Sequence, residues 1–356
     1  MKILKFFLAT STILTIHACG STTAQDDSSE ELSANLTSQE VQALVQQCSL
    51  NLNARLPIGF SDQCFVHNNR KRLVRVYRPK SSRRDKVPAA LLVVLHGGGG
   101  SGEQVSDNNK SPLAVFNKIA DEKNVIVVYP TATKDNTGKN GWNDCRSDDT
   151  SKNGVDDSAF LASLIRELSG NLGISKSQVF VSGHSNGAMM SFRMALEHSD
   201  LIGAIATSAG NIAKSPVAGA CSEGPKTPIP VFMTHGSQDT FVPPEGGCVA
   251  NLRGKRRCER GYVVSAQETI DFWLRVNGQA NSSPTSRTVE IDRRDGGAAV
   301  ESKYNGGSAP VTAWMLNGAG HPVPSTTIKV RPIVVGKQNR DIEFAREAWS
   351  FFESIR

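Results

Sequence analysis

Short apolar runs alternate along the chain with stretches in which apolar residues recur every three or four positions. The runs predict buried strands, and the helical periodicity predicts amphipathic helices packed against them. Their alternation predicts an α/β fold in a single domain, with a mostly parallel sheet and helices on both faces. The predicted strands are Leu73–Tyr77, Ala90–His96, Val125–Tyr129, Val179–Ser182, Ile202–Ser208, Pro230–Thr234 and Val311–Leu316. The predicted helices are Leu113–Asp121, Ser158–Leu168, Ala188–Glu197, Ser265–Val276 and Asp341–Ser354.

The N-terminal segment has a different pattern. Lys2 and Lys5 precede an apolar stretch that runs from Phe6 to Ile16. A spanning helix needs roughly 20 apolar residues, so this stretch is too short to cross a bilayer. Residues 1–18 are therefore predicted to be an export signal, and no transmembrane helix is expected.

The end of this signal, Ile-His-Ala-Cys, resembles the lipobox of bacterial lipoproteins. The resemblance implies cleavage before Cys19 and acylation of its thiol; the alternative is an ordinary cleaved signal. Residues 19–40 are small, polar and acidic and predict a flexible tether, because they have no apolar face to bury. The folded domain is expected at 41–356, outside the cytoplasm, secreted or held to the membrane only by the lipid anchor.

Composition narrows the class of protein. The chain is 38% hydrophobic and 21% charged, which excludes a disordered or fibrous protein. The formal charge of +6 rises to +9 from residue 41 onward, with much of the excess in Arg70–Lys86 and Arg253–Arg260. Few aromatic residues interrupt these runs, so solvated loops and an edge strand are favoured over an anionic partner, and no nucleic acid partner is expected.

Seven cysteines are an odd number for an exported protein. If Cys19 is acylated, six remain, and an even number suits disulfides in an oxidising compartment. Among the possible connectivities we favour the one in which two cysteine pairs close short loops. The remaining pair then joins distant segments. The predicted pairs are Cys48–Cys64, Cys248–Cys258 and Cys145–Cys221.

One serine lies in a strand–turn–helix context. The predicted strand Val179–Ser182 runs into GHSNG at 183–187 and then into a predicted helix. G-x-S-x-G alone is a weak signal, but this placement is typical of a nucleophile elbow, a strained turn that exposes the serine hydroxyl. Ser185 is therefore the predicted nucleophile.

A serine nucleophile needs a base that is itself oriented by a carboxylate, in the chain order serine, acid, histidine for this elbow. Asp239 follows the strand Pro230–Thr234, and His321 follows the strand Val311–Leu316 in a glycine-bearing loop. Open parallel sheets place their sites at this edge, so we predict Asp239 as the acid and His321 as the base. Singly, each has a simpler interpretation, a turn or cap aspartate and a solvated histidine.

Four other histidines compete for the role of base. His184 lies on the elbow, with its ring expected to point away from the serine, His198 ends a helix, and His67 precedes the first predicted strand. His235 is predicted to line the floor of the site and to contact substrate.

Ester hydrolysis also needs donors for the oxyanion. Four glycines at 97–100 follow a predicted strand and free the backbone to turn its N–H groups inward. We predict one donor at Gly98 or a neighbouring glycine and the other at the amide of Asn186. A phosphate-binding loop is the rival interpretation, but the G-x-x-x-x-G-K-[ST] spacing is missing.

Six motifs occur in order: LHGGGGSG at 95–102, GWNDC at 141–145, VDDSAFL at 155–161, VSGHSNGAMMSF at 181–192, HGSQDTFVP at 235–243 and GAGHPVP at 318–324. Over about residues 65–325 they resemble the secreted polyhydroxybutyrate depolymerase and feruloyl esterase group of α/β-hydrolases. The resemblance implies a Ser185, Asp239 and His321 triad. The final loop of that group often reads GHxWP, whereas Pro-Val-Pro follows His321 here, so the acyl group is left open.

Two further features remain in the GWNDC and VDDSAFL motifs. Trp142 is predicted either to stack on an aromatic acyl group or a sugar, or to anchor the long loop 131–155. Asp156 and Asp157 precede a helix and are expected to cap it rather than bind metal. No metal-ligand spacing occurs in the sequence, so no metal and no organic cofactor are expected.

The sequence therefore predicts an extracytoplasmic serine esterase with an ester substrate. The same triad also serves peptidases and acyltransferases, because the fold alone does not choose between them. A non-catalytic polymer-binding protein on the cell surface is the third hypothesis. Hydroxyalkanoate, feruloyl and short-chain esters all remain open as substrates.

Overall fold

The computed structural model of the chain describes residues 56–82, 87–250, 258–331 and 335–356, with isolated residues between 37 and 48. The predicted signal at 1–18 and Cys19 lie outside the described residues. So do nearly all of the predicted tether at 19–40 and parts of both basic runs.

The described strands are β1 Gly59–His67, β2 Arg70–Arg78, β3 Ala90–Leu95, β4 Val125–Pro130, β5 Val179–His184, β6 Ala204–Ser208, β7 Val231–Gly236, β8 Gly247–Cys248, β9 Tyr262–Val263, β10 Thr285–Val289, β11 Ala299–Tyr304 and β12 Val311–Leu316. Within the described ranges, ten of them form one sheet in the order β1-β2-β4-β3-β5-β6-β7-β12-β11-β10. Every pairing from β4 across to β12 is parallel, and antiparallel pairs close both edges.

Helices cover both faces of the sheet. The described α-helices are α1 Gly102–Val105, α2 Val115–Lys123, α3 Asp157–Leu172, α4 Asn186–Glu197, α5 Ala220–Glu223, α6 Ala266–Val276 and α7 Phe344–Ser354. One apolar cluster packs α3, α4 and α6 on the sheet, and a second packs α2 and α7 on the opposite face. The predicted α/β architecture is therefore confirmed.

The central strands were predicted and the peripheral ones were not. Each of the seven predicted strands is present, with ends shifted by at most a few residues. The edge strands β1 and β10, and β11 next to β10, were missed, because their exposed faces carry polar residues that interrupt an apolar run. As a result His67 lies within β1, and the expectation that it precedes the first strand was wrong.

In the part of the chain that the structure describes, three disulfides join Cys48 to Cys64, Cys145 to Cys221 and Cys248 to Cys258. These are the predicted pairs. The second bridges 76 residues and ties the loop after β4 to α5. Within the described ranges, none of the helices has the length and apolar character needed to cross a bilayer.

One arginine of the basic runs is buried and another is largely buried, which corrects the expectation that these runs are solvated. The Arg72 side chain is 1% exposed and donates to the carboxylate of Asp157 at 2.5 Å. The Arg260 side chain is 15% exposed and pairs with Asp135 at 3.3 Å. Both positive charges are partnered by carboxylates inside the fold, so they are not available as part of a solvated surface.

Candidate active site

Ser185 connects β5 to α4 in a conformation that few side chains adopt. Its backbone has φ 57° and ψ −122°, and such positive-φ strain is concentrated at functional turns. A Cβ at Gly183 would collide with the carbonyl of Gly187, and one at Gly187 would collide with the carbonyls of Leu95 and His96. Both glycines of the G-x-S-x-G motif are therefore required by close approach of backbone.

Three side chains from three strand ends form a continuous hydrogen-bonded chain. The hydroxyl of Ser185 lies 2.8 Å from Nε2 of His321, and Nδ1 of His321 lies 2.7 Å from Oδ2 of Asp239. Because a carboxylate only accepts, the imidazole carries its proton on Nδ1 and its Nε2 accepts from the serine. This arrangement suits proton transfer from the serine hydroxyl to the histidine.

The carboxylate of Asp239 is held by backbone amides as well as by the imidazole. Its Oδ1 accepts from the amides of Phe241 and Val242 at 2.8 and 3.0 Å. Burial alone would raise the pKa of this carboxyl, but His321 and the backbone donors hold it below its ordinary value. Asp239 is therefore charged at neutral pH.

The backbone of His321 is fixed on both sides. Its amide donates to the carbonyl of Val335 at 2.8 Å, and its own carbonyl accepts from Nε2 of His184 at 2.9 Å. Burial, together with His321, lowers the pKa of His184 to about 3, so that ring is neutral. His184 thus supports the histidine loop, and its described hydrogen bond is not to the serine hydroxyl.

Glycines of the loop after β3 lie against the serine. A Cβ at Gly97 would lie 3.4 Å from Cβ of Ser185, and one at Gly98 would lie 3.9 Å from Cβ of Asn186. Among the hydrogen bonds of the described residues, neither the Gly98 amide nor the Asn186 amide has an acceptor. Two unpaired N–H groups on segments that pack together beside the serine match the predicted oxyanion donors.

His96 lies in the LHGGGGSG motif, but no role could be predicted for it because its partner Ala132 is 36 positions away in the sequence. Its Nδ1 donates to the Gly97 carbonyl at 2.7 Å, and its Nε2 accepts from the Ala132 amide at 3.0 Å. Burial lowers the pKa of His96 to about 4, so the neutral ring that this pattern needs is maintained. This residue holds the start of the glycine loop.

Trp142 lies behind the glycine loop. Its side chain is 1% exposed, and its indole nitrogen donates to the carbonyl of His96 at 2.9 Å. A buried ring cannot stack on a substrate, so the structure corrects the substrate-binding interpretation and favours the buried anchor.

His235 lies behind Asp239 rather than on an open floor. It is 3% exposed, its Nε2 donates to the carbonyl of Val242 at 2.8 Å, and the same atom is 3.8 Å from Oδ2 of Asp239. The buried position of His235 therefore does not support the prediction that it contacts substrate. Nε2 of His198 is hydrogen-bonded to the hydroxyl of Ser158 at 3.0 Å, and this described bond is not to Ser185.

The aspartates before α3 have structural partners. Oδ1 of Asp156 accepts from the amide of Ala159 at 3.0 Å, which is the predicted N-cap. Asp157 instead accepts from Arg72 and, at 2.8 Å, from the amide of Asn143. Across the described residues, no group of three or more His, Cys, Asp or Glu side chains is arranged to hold a metal ion.

The chain is similar to known esterases. The family model described as phospholipase/carboxylesterase matches residues 81–259. The chain is 27% identical over 272 residues to the putative esterase NocK of Nocardia uniformis subsp. tsuyamanensis, covering 73% of each chain. It is 28% identical over 253 residues to feruloyl esterase B of Piromyces equi, covering 70% of this chain and 42% of that protein.

The fold also matches a solved structure. The acetyl xylan esterase of Aspergillus awamori superposes with a TM-score of 0.51 at 19% identity, covering 74% of this chain and 95% of that one. At this identity the likeness concerns the fold alone. With the family match over half of the chain, it follows that the protein belongs to the phospholipase/carboxylesterase family of α/β-hydrolases and is a carboxylic ester hydrolase.

Proposed function

We propose that the protein is an extracellular serine esterase with Ser185 as nucleophile, His321 as base and Asp239 as the residue that orients the base. The observation that carries this proposal is the unbroken pair of hydrogen bonds, 2.8 Å and 2.7 Å, that starts at a strained elbow serine. Family membership supports ester hydrolysis as the reaction.

Acylation begins when Oγ of Ser185 bonds to the ester carbonyl carbon and its proton passes to Nε2 of His321. The carbonyl electron pair moves onto oxygen, and the negative charge is met by the N–H groups of Gly98 and Asn186. The tetrahedral intermediate then expels the alcohol, which takes the proton from Nε2. An acyl-enzyme remains.

Deacylation repeats these steps with water. Water attacks the acyl carbon while His321 takes its proton, and collapse of the second tetrahedral intermediate returns that proton to Ser185 and releases the acid. Asp239 stays ionised throughout, stabilising the imidazolium and keeping the proton of the neutral ring on Nδ1.

The direct test is Ser185→Ala, assayed on p-nitrophenyl acetate and butyrate with a fluorophosphonate probe as second readout. We expect turnover to fall by at least 10³-fold, on the order of other triad knockouts, and labelling to vanish. Ser182→Ala is the matched control, because the Ser182 hydroxyl is buried without a described partner and its removal should change neither readout. Near-normal activity of the Ser185 variant would reject the mechanism.

The other hypotheses differ in products and labelling. A peptidase or acyltransferase would also be labelled at Ser185, so product analysis with peptide substrates and with added alcohol acceptors separates them from an esterase. A non-catalytic polymer-binding protein requires that the probe leave Ser185 unmodified. The hydrogen-bonded serine favours the catalytic hypotheses.

For the substrate we favour esters of a sugar over polyhydroxybutyrate. A polar cleft of about 470 Å³ is lined by Gly99 and Ser101 of the glycine-loop region and by residues that include Asp62, Arg75 and Lys139. Such walls suit a hydroxyl-rich alcohol group, and one relative is named feruloyl esterase B. Feruloylated arabino-oligosaccharides should therefore show a lower KM than methyl ferulate, and 3-hydroxybutyrate oligomers should be poor substrates. Equal KM values for the two ferulates would contradict this choice.

We also propose export and lipid anchoring at Cys19. The three disulfides support an oxidising compartment. Cys19→Ser should move the protein from the membrane fraction to the soluble extracytoplasmic fraction; an unchanged distribution would support an ordinary cleaved signal instead.

A further inference from the structure

The side chain of Asn186 makes hydrogen bonds that have no part in the mechanism described so far. Its Oδ1 accepts from the amide of Trp142 at 2.7 Å, while its Nδ2 donates to the carbonyl of Trp142 at 3.0 Å and to Oδ2 of Asp144 at 2.8 Å. The carboxamide is thereby fully engaged with one loop. Asn186 is also the residue whose backbone N–H is the proposed donor to the oxyanion.

Asp144 is the charged partner in this arrangement. Asp144 is 0% exposed, and Arg146 donates to both of its carboxylate oxygens, from Nε to Oδ1 at 3.0 Å and from Nη2 to Oδ2 at 2.7 Å. Nζ of Lys152 lies 3.2 Å from Oδ1. Burial alone would raise the pKa of Asp144, but these two cations hold it well below its usual range, so the carboxylate is charged.

The charges around Asp144 balance. Arg146 also pairs with Asp149 at 3.1 Å, so two carboxylates face two cations. This balance matters because an unpaired carboxylate near the oxyanion would oppose its formation. The cluster therefore offers Asn186 a strong acceptor without placing a net negative charge beside the reacting carbonyl.

We propose that Asp144 is a positioning residue of the esterase site, acting through the Asn186 side chain to hold the Asn186 N–H towards the oxyanion. The inference rests on the proposed function. Backbone donors stabilise a transition state only when they are fixed in advance, and errors of about 1 Å in position can cost 10²-fold in rate. Asp144 itself does not touch substrate.

The first test compares two substitutions that leave Asp144 intact. Asn186→Ala removes all three side-chain hydrogen bonds but keeps the backbone N–H. Asn186→Asp keeps the acceptor towards Trp142 and turns an oxygen towards Asp144. On p-nitrophenyl acetate we expect kcat to fall about 10- to 100-fold in both, with KM within about twofold. A kcat within twofold of wild type in either variant would overturn the proposal.

A transition-state analogue separates positioning from a merely structural role. Phenylboronic acid forms a tetrahedral adduct with the serine and places an oxygen at the donors, so its affinity should fall in parallel with kcat while KM stays constant. If only the melting temperature falls, and kcat per labelled active site is unchanged, Asn186 is structural and the proposal is wrong.

A double-mutant cycle tests the route through Asn186. Asp144→Asn keeps an acceptor oxygen but loses the charge, so a smaller loss of kcat is expected, about 3- to 10-fold. In the Asn186→Ala background the same substitution should reduce kcat no further, because its effect passes through that side chain. A full additional loss would contradict the proposal. If Asp144→Asn does not fold, the Asn186→Asp result decides alone.

Asn143→Ala is the matched control. It removes one side-chain hydrogen bond in the same loop, to the carbonyl of Val155 at 2.8 Å, and leaves the contacts of Asn186 intact. We expect unchanged kcat and boronate affinity. Failure of the two proposals is distinguishable: an active Ser185→Ala rejects the mechanism, whereas an inactive Ser185→Ala with unaffected Asn186 variants rejects only the role of Asp144.

Discussion

The proposed mechanism divides the site into two halves. The acid–base half, Ser185, His321 and Asp239, is held together by the side chains that would react. Each of them is hydrogen-bonded to the next, and neutral or aromatic groups surround them, such as His184 and Phe241. The proposed oxyanion half consists of the backbone of Gly98 and Asn186 and the groups that support it, and none of its side chains would contact substrate.

The supports of the oxyanion half are of a different kind. His96 fixes the glycine loop, and the charged cluster around Asp144 fixes Asn186. A side chain can settle into its hydrogen bond by rotation, but a backbone N–H moves only with its segment. Backbone donors therefore need a rigid scaffold. The buried cluster of paired charges around Asp144 lies on that side, whereas the acid–base half contains the single buried carboxylate of Asp239.

The largest expected effect is on the acid–base half. In Asp239→Asn the new amide would face Nδ1 of His321 as a donor and favour the tautomer that cannot accept from the serine. We expect kcat to fall by roughly 10³- to 10⁴-fold with little change in melting temperature. Steady-state kinetics and thermal unfolding measure both.

The control for this substitution is Asp156→Asn, which replaces one good N-cap residue with another and should leave kcat unchanged. A loss below tenfold in Asp239→Asn would mean that the carboxylate is not the orienting group, and it would weaken the contrast between the halves.

A smaller effect is expected on the oxyanion half when its disulfide is removed. Cys145 follows Asp144 directly, and the Cys145–Cys221 bridge closes 76 residues. Replacing both cysteines by alanine should lower the free energy of unfolding by about 2–5 kcal/mol, chiefly through the entropy of the unfolded chain. Because the loop is loosened, kcat should also fall, by less than about tenfold.

The Cys48–Cys64 bridge provides the comparison. It lies at β1, the edge strand, so its removal should reduce stability without altering kcat. Denaturant unfolding and kinetics on both double variants give the result. Equal effects on kcat would show that the 141–146 loop does not control the donors.

The last expected effect concerns stability at acid pH, and it is the smallest in its consequence for kcat. His96 has its pKa lowered by burial to about 4, so between pH 6.5 and 4 the unfolded chain binds a proton that the folded chain does not. The contribution of His96 to the free energy of unfolding is therefore complete and constant above pH 6.5. As the pH falls from 6.5 to 4, this free energy decreases by up to about 1.4 kcal/mol per pH unit. His184 adds in the same direction.

His96→Gln tests this pH dependence, since glutamine does not titrate. The melting temperature of that variant should fall less steeply between pH 6.5 and 4 than that of the wild type. Parallel profiles would show that His96 is not kept neutral by the fold.

The parts of the site that could be predicted are those whose residues lie in short, continuous sequence motifs. The elbow combines a strand, a GHSNG turn and a helix in consecutive residues, and Asp239 and His321 each follow an apolar strand. The supports could not be predicted in the same way. Asp144 meets Asn186 across 42 positions, so their contact follows only from the packing of the loop on α4.

The fold shows the same division. The central parallel strands are apolar on both faces and give continuous runs, such as ALLVVL in β3. The edge strands are covered on one side at most, and β10 is exposed at nearly every position, so its sequence carries little hydrophobic signal. Trp142 was ambiguous for a related reason, since a tryptophan beside a site is equally suited to contact substrate or to fill the interior.

The separation of 136 positions between Ser185 and His321 has a consequence for biosynthesis. Its loop follows β12, which lies inside the sheet between β7 and β11, and its backbone is bonded to Val335. A ribosome delivers the serine and the glycine loop long before these segments emerge. A growing polypeptide therefore holds the proposed nucleophile without its proposed base until β12, His321 and Val335 have been synthesised, so esterase activity cannot begin before that point.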